Sequence, residues 1–299
     1  MMTTAAVPRT ISEARAFLNR HEITFVDIED VSTVGTVRAA SLIKTSGGPD
    51  WFIKELDATL ERGDTIYNLA ADGLVPEGIA RRLTPRYDIG CNEGIRVYKG
   101  FRAHRTWHDM LRTRDGYDPD HAYKVGTWVG EMHREAIPSK ALLDYAEALA
   151  PVSVRTYAVI TVEAYANAPG FQFKAFLRTA QRASKALAVL AETAHSFSIM
   201  VHGDLKADNL LFKDQGIRLV DWELCSLGHP MSDVGTLVGS VLSSWFELIP
   251  PRVGKPIIEW FAGGTVPASC VSLTLDALLQ GYEDAMSAPL STEYRKTLW

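Results

Sequence analysis

Cysteine is scarce in this chain. Cys91, Cys225 and Cys270 are the three among 299 residues, and no two have CxxC spacing. An odd number so spaced excludes a disulfide framework and leaves no zinc site. Long apolar runs are missing too: no stretch approaches the roughly 18 uninterrupted apolar residues that a membrane span needs, so no membrane partner is expected. The opening residues, MMTTAAVPRTISEAR, lack the basic-then-apolar run of a secretory signal. Positive charge is not in excess either. A net charge of −5 and a pI near 5.9 give no reason to expect a nucleic-acid partner. There is no repeat and no low-complexity run. What is present is an ordinary globular balance, 46% hydrophobic and 22% charged, able to bury a core. The length fits about two lobes, and the expectation is a reduced, cytoplasmic enzyme.

The pattern changes along the chain. Residues 10–20 (TISEARAFLNR) form an amphipathic helix opened by Thr10 or Ser12. Strands then dominate to Phe101. Residues 37–44 lead to a Gly-Gly-Pro turn at Gly47–Pro49, with Trp51 to Lys54 as the partner strand of a hairpin. A helix is expected over 57–71, then strands over 79–86 and 94–99. Beyond Phe101 the period is helical: Val125, Trp128, Val129 and Met132 share one stripe. A longer stripe runs over 171–197, from Phe173 to Phe197. Another helix starts at Ser232, a good N-cap, and carries Val234, Leu237, Val238, Val241 and Trp245. Sheet first and helices after is an α+β architecture, with a small β-rich lobe over 1–100 and a larger helical lobe over 101–299.

The chemistry concentrates in two short segments. One is Val201-His202-Gly203-Asp204-Leu205-Lys206-Ala207-Asp208-Asn209-Leu210-Leu211-Phe212; the other is Leu219-Val220-Asp221-Trp222-Glu223. Each acidic centre follows an apolar strand, which presents it at a strand end. Phosphoryl transfer requires a carboxylate that orients and deprotonates the attacking hydroxyl, and oxygen ligands that hold magnesium on the phosphates. Asp204 suits the first task. Asn209 and Asp221 suit the second, because magnesium takes a few hard oxygens together with phosphate and water. Lys206 is placed to neutralise charge developing on the transferred group. Any one of these residues could equally be a polar loop residue capping a turn; the H-G-D-x4-N set, followed by Asp221, is far more specific.

The two segments resemble the catalytic loop (201–212) and metal segment (219–223) of the aminoglycoside phosphotransferase and choline kinase branch of the protein-kinase-like superfamily. There H-G-D-x4-N stands for the H-R-D-x4-N of protein kinases, and D-W-E for D-F-G. The resemblance implies a two-lobed kinase-like fold, Asp204 as catalytic base, Asn209 and Asp221 as Mg2+ ligands, and ATP, sometimes GTP, as donor. It extends to Gly228-His229-Pro230 and Asp233, similar to a G-D-P-x-x-D segment whose second Asp buttresses the catalytic loop. His229 departs from that pattern and receives no role. Gly203 stands where protein kinases carry an Arg that reads a phosphorylated activation loop. The interval between His133 and His202 implies a helical insertion over 134–199 on the acceptor side.

In the first lobe the resemblance puts Lys54, at a strand end, in the position of the phosphate-pairing lysine. Its carboxylate partner is expected on the next helix, where Glu61 and Asp64 share a face; Glu61 is slightly favoured. Gly35 falls in the place of the phosphate-covering loop, although a simple strand turn explains one glycine nearly as well.

Three readings of the acceptor stay open. The favoured one is a precursor peptide phosphorylated on Ser or Thr hydroxyls: Asp204-Leu205-Lys206 is like the D-L-K of protein-hydroxyl kinases, and the segments around Asp221, Asp233 and Ser243-Ser244-Trp245 are similar to kinases of class V lanthipeptide and thioamitide biosynthesis. Lys174, Arg178, Arg182 and Lys185 give the inserted helix a basic face, solvated or suited to an acidic acceptor. The second is a small-molecule kinase for an aminoglycoside, a sugar or an amino alcohol. The third is a pseudokinase scaffold, against which every metal ligand is intact. The chain runs only a short way past Gly281-Tyr282, so a protein partner completing the acceptor side, as in a biosynthetic complex, is a further expectation.

Overall fold

The computed structural model describes residues 7–33, 40–55, 61–87, 94–101, 105–145, 149, 199–213, 216–250 and 252–287; for 61–63 and 257–258 it describes the backbone alone. Gly35, the side chain of Glu61 and the helix expected over 171–197 with its four basic residues lie outside this description.

Helix α1 (Ile11–Arg20) opens on a reciprocal cap. Thr10 Oγ1 accepts from the Glu13 amide, and the Glu13 carboxylate accepts from the Thr10 amide, which satisfies two amides at a helix start that has no partners for them. A five-stranded antiparallel sheet follows, built from β1 (Asp27–Thr33), β2 (Ala40–Ser46), β3 (Trp51–Glu55), β4 (Arg86–Tyr87) and β5 (Ile95–Lys99), in the order β1-β2-β3-β5-β4. Ile43, Ile53, Ile95 and Val97 are fully buried and join Phe17 and Leu18 of α1 in one core. Alternation along β3 turns Lys54 to the opposite face from Ile53.

Helix α2 (Glu61–Ala71) stands in the expected place, but its apolar face belongs to the larger core: Ile66 and Leu69 pack there with Trp107 and Val125. The strand expected over 79–86 is mostly a helical turn. Helix α3 (Glu77–Ala80) takes its first two residues, and only Arg86 and Tyr87 form the strand. Ile79 and Leu83, four apart, set the helical period there, and the Leu83 amide bonds the Ile79 carbonyl at 3.1 Å.

The larger lobe contains α4 (Trp107–Leu111), α5 (Pro119–Arg134), α6 (Lys140–Leu143), α7 (Pro230–Glu247), α8 (Ile257–Phe261) and α9 (Ala268–Met286). Short strands support the two segments singled out in the sequence. β6 (Arg105–Thr106), β8 (Leu210–Lys213) and β9 (Gly216–Leu219) form one sheet, and β7 (Ile199–Val201) pairs with β10 (Ser226–Gly228). α7 begins earlier than expected. Pro230 occupies its first position, where a missing N–H costs nothing, so the cap falls on His229, whose Nδ1 accepts from the Met231 amide at 3.1 Å. Ser232 lies inside the first turn and donates its hydroxyl to the His229 carbonyl. Among the described residues no helix is long and apolar enough to cross a membrane.

The lobe is anchored by α5 against α9, whose backbones nearly touch. A Cβ on Gly126 would lie 1.9 Å from the Leu278 carbonyl oxygen, and one on Gly281 would lie 2.2 Å from that of Tyr123. Gly126→Ala is therefore expected to lower unfolding stability by about 1–3 kcal/mol or more through overpacking. Gly239→Ala, on the exposed face of α7 with nothing within 4 Å, should raise it by up to about 1 kcal/mol through helix propensity. Denaturant melts of the two variants test this pair of opposite signs.

Candidate active site

β7 is buried and ends at Val201, delivering His202 into the interior. The chain then turns through Gly203, at φ +79°, where a Cβ would lie 2.1 Å from the Leu224 carbonyl oxygen. Only glycine meets both demands. A 3-10 turn, Ala207–Asn209, follows Lys206 and leads into β8. Returning along β9, the chain reaches Asp221 in the left-handed region, φ 67° and ψ 55°, and then a second 3-10 turn, Trp222–Leu224. Asp tolerates that region better than most residues.

Beneath the loop lies Asp233, on the first turn of α7 and 1% exposed. It accepts from the His202 amide at 2.7 Å, the Gly203 amide at 2.9 Å and His133 Nε2 at 3.1 Å. Burial acts to raise its carboxyl pKa, but the His133 bond and the nearby His202 outweigh it and hold it below the usual value. His133 in turn has Nδ1 3.1 Å from the Tyr282 hydroxyl of α9. His202 links the two segments. Its Nδ1 accepts from the Asp204 amide at 3.3 Å, so Nε2 carries the proton and donates to the Val220 carbonyl at 3.0 Å. Complete burial lowers its pKa and favours this neutral form, against the raising effect of Asp233.

The residues singled out in the sequence converge above this base. Lys206 Nζ donates to Asp204 Oδ2 at 2.7 Å. Burial works against the Lys206 charge, yet the bond to Asp204 raises its pKa overall. Asn209 Nδ2 donates to the Asp204 carbonyl at 2.8 Å and reaches its Oδ2 at 3.3 Å. The Val220 amide bonds the Asn209 carbonyl at 3.0 Å, and the Ala207 amide bonds Ser240 Oγ of α7 at 2.9 Å. From the smaller lobe, Lys54 Nζ reaches Asp221 Oδ1 at 2.9 Å. Burial pushes the Asp221 carboxyl up, and the Lys54 ammonium more than reverses this, so it stays ionised to lower pH than usual.

Asp64 is not brought to Lys54. It lies between Arg86 Nη1 at 2.8 Å and Arg96 Nε at 2.7 Å, and its second oxygen bonds the other arm of Arg96. The Arg96 bonds lower its pKa. The second carboxylate found on Lys54 is Glu223, at 2.6 Å. Sequence reading quoted Glu223 as part of D-W-E and gave it no task. Its spacing of two from Asp221, across a turn too short to separate them, was the available signal. His133 and His202 were also read as motif letters only.

With its amide nitrogen directed to Asp204, Asn209 leaves its amide oxygen to ligate, and Asp221 supplies an ionised carboxylate. Among the described residues no group of three or more His, Cys, Asp or Glu is arranged to hold a metal alone. Such a sparse set fits a hard cation that shares its coordination with phosphate and water.

A sequence model of the phosphotransferase enzyme family matches residues 52–269. Among solved structures, the chain is similar to an amicoumacin kinase in complex with AMP-PNP, Ca2+ and Ami (TM-score 0.56, 14% identity, covering 97% of this chain and 84% of that one). It is also similar to the choline kinase LicA from Streptococcus pneumoniae (TM-score 0.51, 15% identity, 97% and 99%), and to a glucosamine kinase in complex with glucosamine, ADP and inorganic phosphate (TM-score 0.52, 17% identity, 97% and 77%). At these identities the likeness is one of fold. Among curated proteins, acyl-CoA dehydrogenase family member 11 of Rattus norvegicus is 41% identical over 54 residues, 17% of this chain and 7% of that protein. The chain thus spans less than a tenth of that relative's length.

Asp233 is the structural centre of this arrangement, and its depressed pKa fixes the sign of a pH effect. The stability it contributes is complete above its ordinary value of 3.8 and is lost as pH falls below that value. Asp233→Asn should destabilise the fold by about 3 kcal/mol at neutral pH, because it breaks a buried charge network. The variant should also show a shallower loss of stability on acidification than wild type, which urea melts between neutral and acid pH would reveal.

Proposed function

The chain belongs to the phosphotransferase enzyme family, and from that premise we propose that it transfers the γ-phosphoryl group of ATP to an acceptor hydroxyl at this centre. The observation that carries the proposal is the meeting of Lys206 and Asn209 on Asp204, with Lys54 on Asp221 alongside. In the step proposed, the acceptor oxygen attacks the γ-phosphorus and gives its proton to Asp204. The bond from that phosphorus to the β–γ bridging oxygen breaks, and ADP leaves. Lys206 holds the Asp204 carboxylate in place and sets a positive charge where the transferred group gathers negative charge. Lys54 pairs with the phosphates of the donor. Asn209 and Asp221 would hold magnesium, which when bound neutralises phosphate charge.

For the acceptor we favour a small hydroxyl-bearing molecule. Support comes from the family and from the choline, glucosamine and amicoumacin kinases that share the fold. A peptide hydroxyl is the second reading. The feature that favours it is the Asp204-Leu205-Lys206 loop, in which the lysine bonds the base directly. A protein partner on the acceptor side would accompany that second reading.

Asp204→Asn should cut kcat by about 10²–10⁴-fold while AMP-PNP binding, followed by calorimetry, stays near wild type. Loss of nucleotide binding with turnover intact would remove Asp204 from the role of base. Asp221→Ala should weaken AMP-PNP binding in the presence of magnesium and leave it little changed without. Offering wild-type enzyme ATP with aminoglycosides, amino sugars, amino alcohols and Ser/Thr-rich peptides decides between acceptors. Phosphopeptide formation with no small-molecule product would overturn the first reading in favour of the second.

A further inference from the structure

We infer that Glu223, on the 3-10 turn after Asp221, positions Lys54 for the phosphates, a task that Asp64 of helix α2 does not take. This rests on the reading of Lys54 as the phosphate-pairing lysine. The ammonium sits between two carboxylates, Glu223 Oε1 at 2.6 Å and Asp221 Oδ1 at 2.9 Å. The Glu223 and Lys54 side chains are only 12% and 13% exposed, whereas that of Asp221 is 33% exposed. Solvent therefore screens the Glu223 contact least.

The two carboxylates are not equivalent in function. Asp221 is the residue proposed to take a divalent cation, which would draw its charge away from the ammonium. A lysine has a long, freely rotating stem that loses rotamer entropy when fixed, so it needs a second anchor that stays engaged. Glu223 fits this need because its own turn is fixed: Trp222 is 1% exposed and donates its indole N–H to the Leu219 carbonyl at 3.1 Å. On α2, Asp64 is committed to Arg86 and Arg96. Those arginines hold α2 against β4 and β5.

The test measures AMP-PNP binding by calorimetry in wild type, Glu223→Gln, Lys54→Ala and the double variant, each at low and high magnesium. Glu223→Gln should weaken binding about tenfold, the scale of one charge-assisted bond. The same change made on top of Lys54→Ala should cost nothing more, since the two residues act through one contact. Thermal unfolding of Glu223→Gln should stay close to wild type. A loss that persists in the Lys54→Ala background and shrinks as magnesium rises would make Glu223 a metal ligand and overturn the assignment. So would a loss in Glu61→Gln with none in Glu223→Gln. If Lys54→Ala itself binds AMP-PNP as wild type does, the role of Lys54 falls, and this inference with it.

Discussion

Asp233 sits almost wholly out of water, where an unpaired carboxylate would cost several kcal/mol. What makes it tolerable is the set of donors around it: the backbone amides of His202 and Gly203 and the ring of His133. The dependence runs both ways. The amide of the buried His202 and that of Gly203 lie in a turn that no helix or strand satisfies, and this acceptor ties both. Asp204, Lys206 and Asn209 are arranged only because the chain before them is held in this way. The network runs on through His133 to Tyr282, so the last long described helix, far away in sequence, helps to set the base of the site.

The second organising element is the charge balance on Lys54. Its strand belongs to the core of the smaller lobe, whereas the two carboxylates on it among the described residues belong to the turn after β9. Helix α2 stands between the two bodies: its apolar face packs in the larger core, and its Asp64 is tied to arginines of the smaller sheet.

Much of this was legible in the sequence because it depends on short-range rules. The cap of α1 follows from Thr10 and Glu13, and the stripe from Val125 to Met132 marked α5 correctly. Legibility failed where a side chain's partner is distant in the chain. Asp64 and Glu61 share a face by helical spacing, with Glu61 only slightly favoured, and nothing local discloses that Arg86 and Arg96 claim Asp64. Two element boundaries moved because a proline outranked the pattern beside it. Pro230 fixed the start of α7 ahead of Ser232, and Pro76, which caps the turn before Ile79, began a helix where a strand was expected.

The contact between Gly203 and the Leu224 carbonyl limits what this position can hold. An arginine here, as in loops of the H-R-D type, would require a different backbone angle and would strike the turn that carries Asp221 and Glu223. The two loop designs therefore cannot be exchanged by one substitution on an otherwise unchanged scaffold; the following turn would have to be rebuilt in the same step.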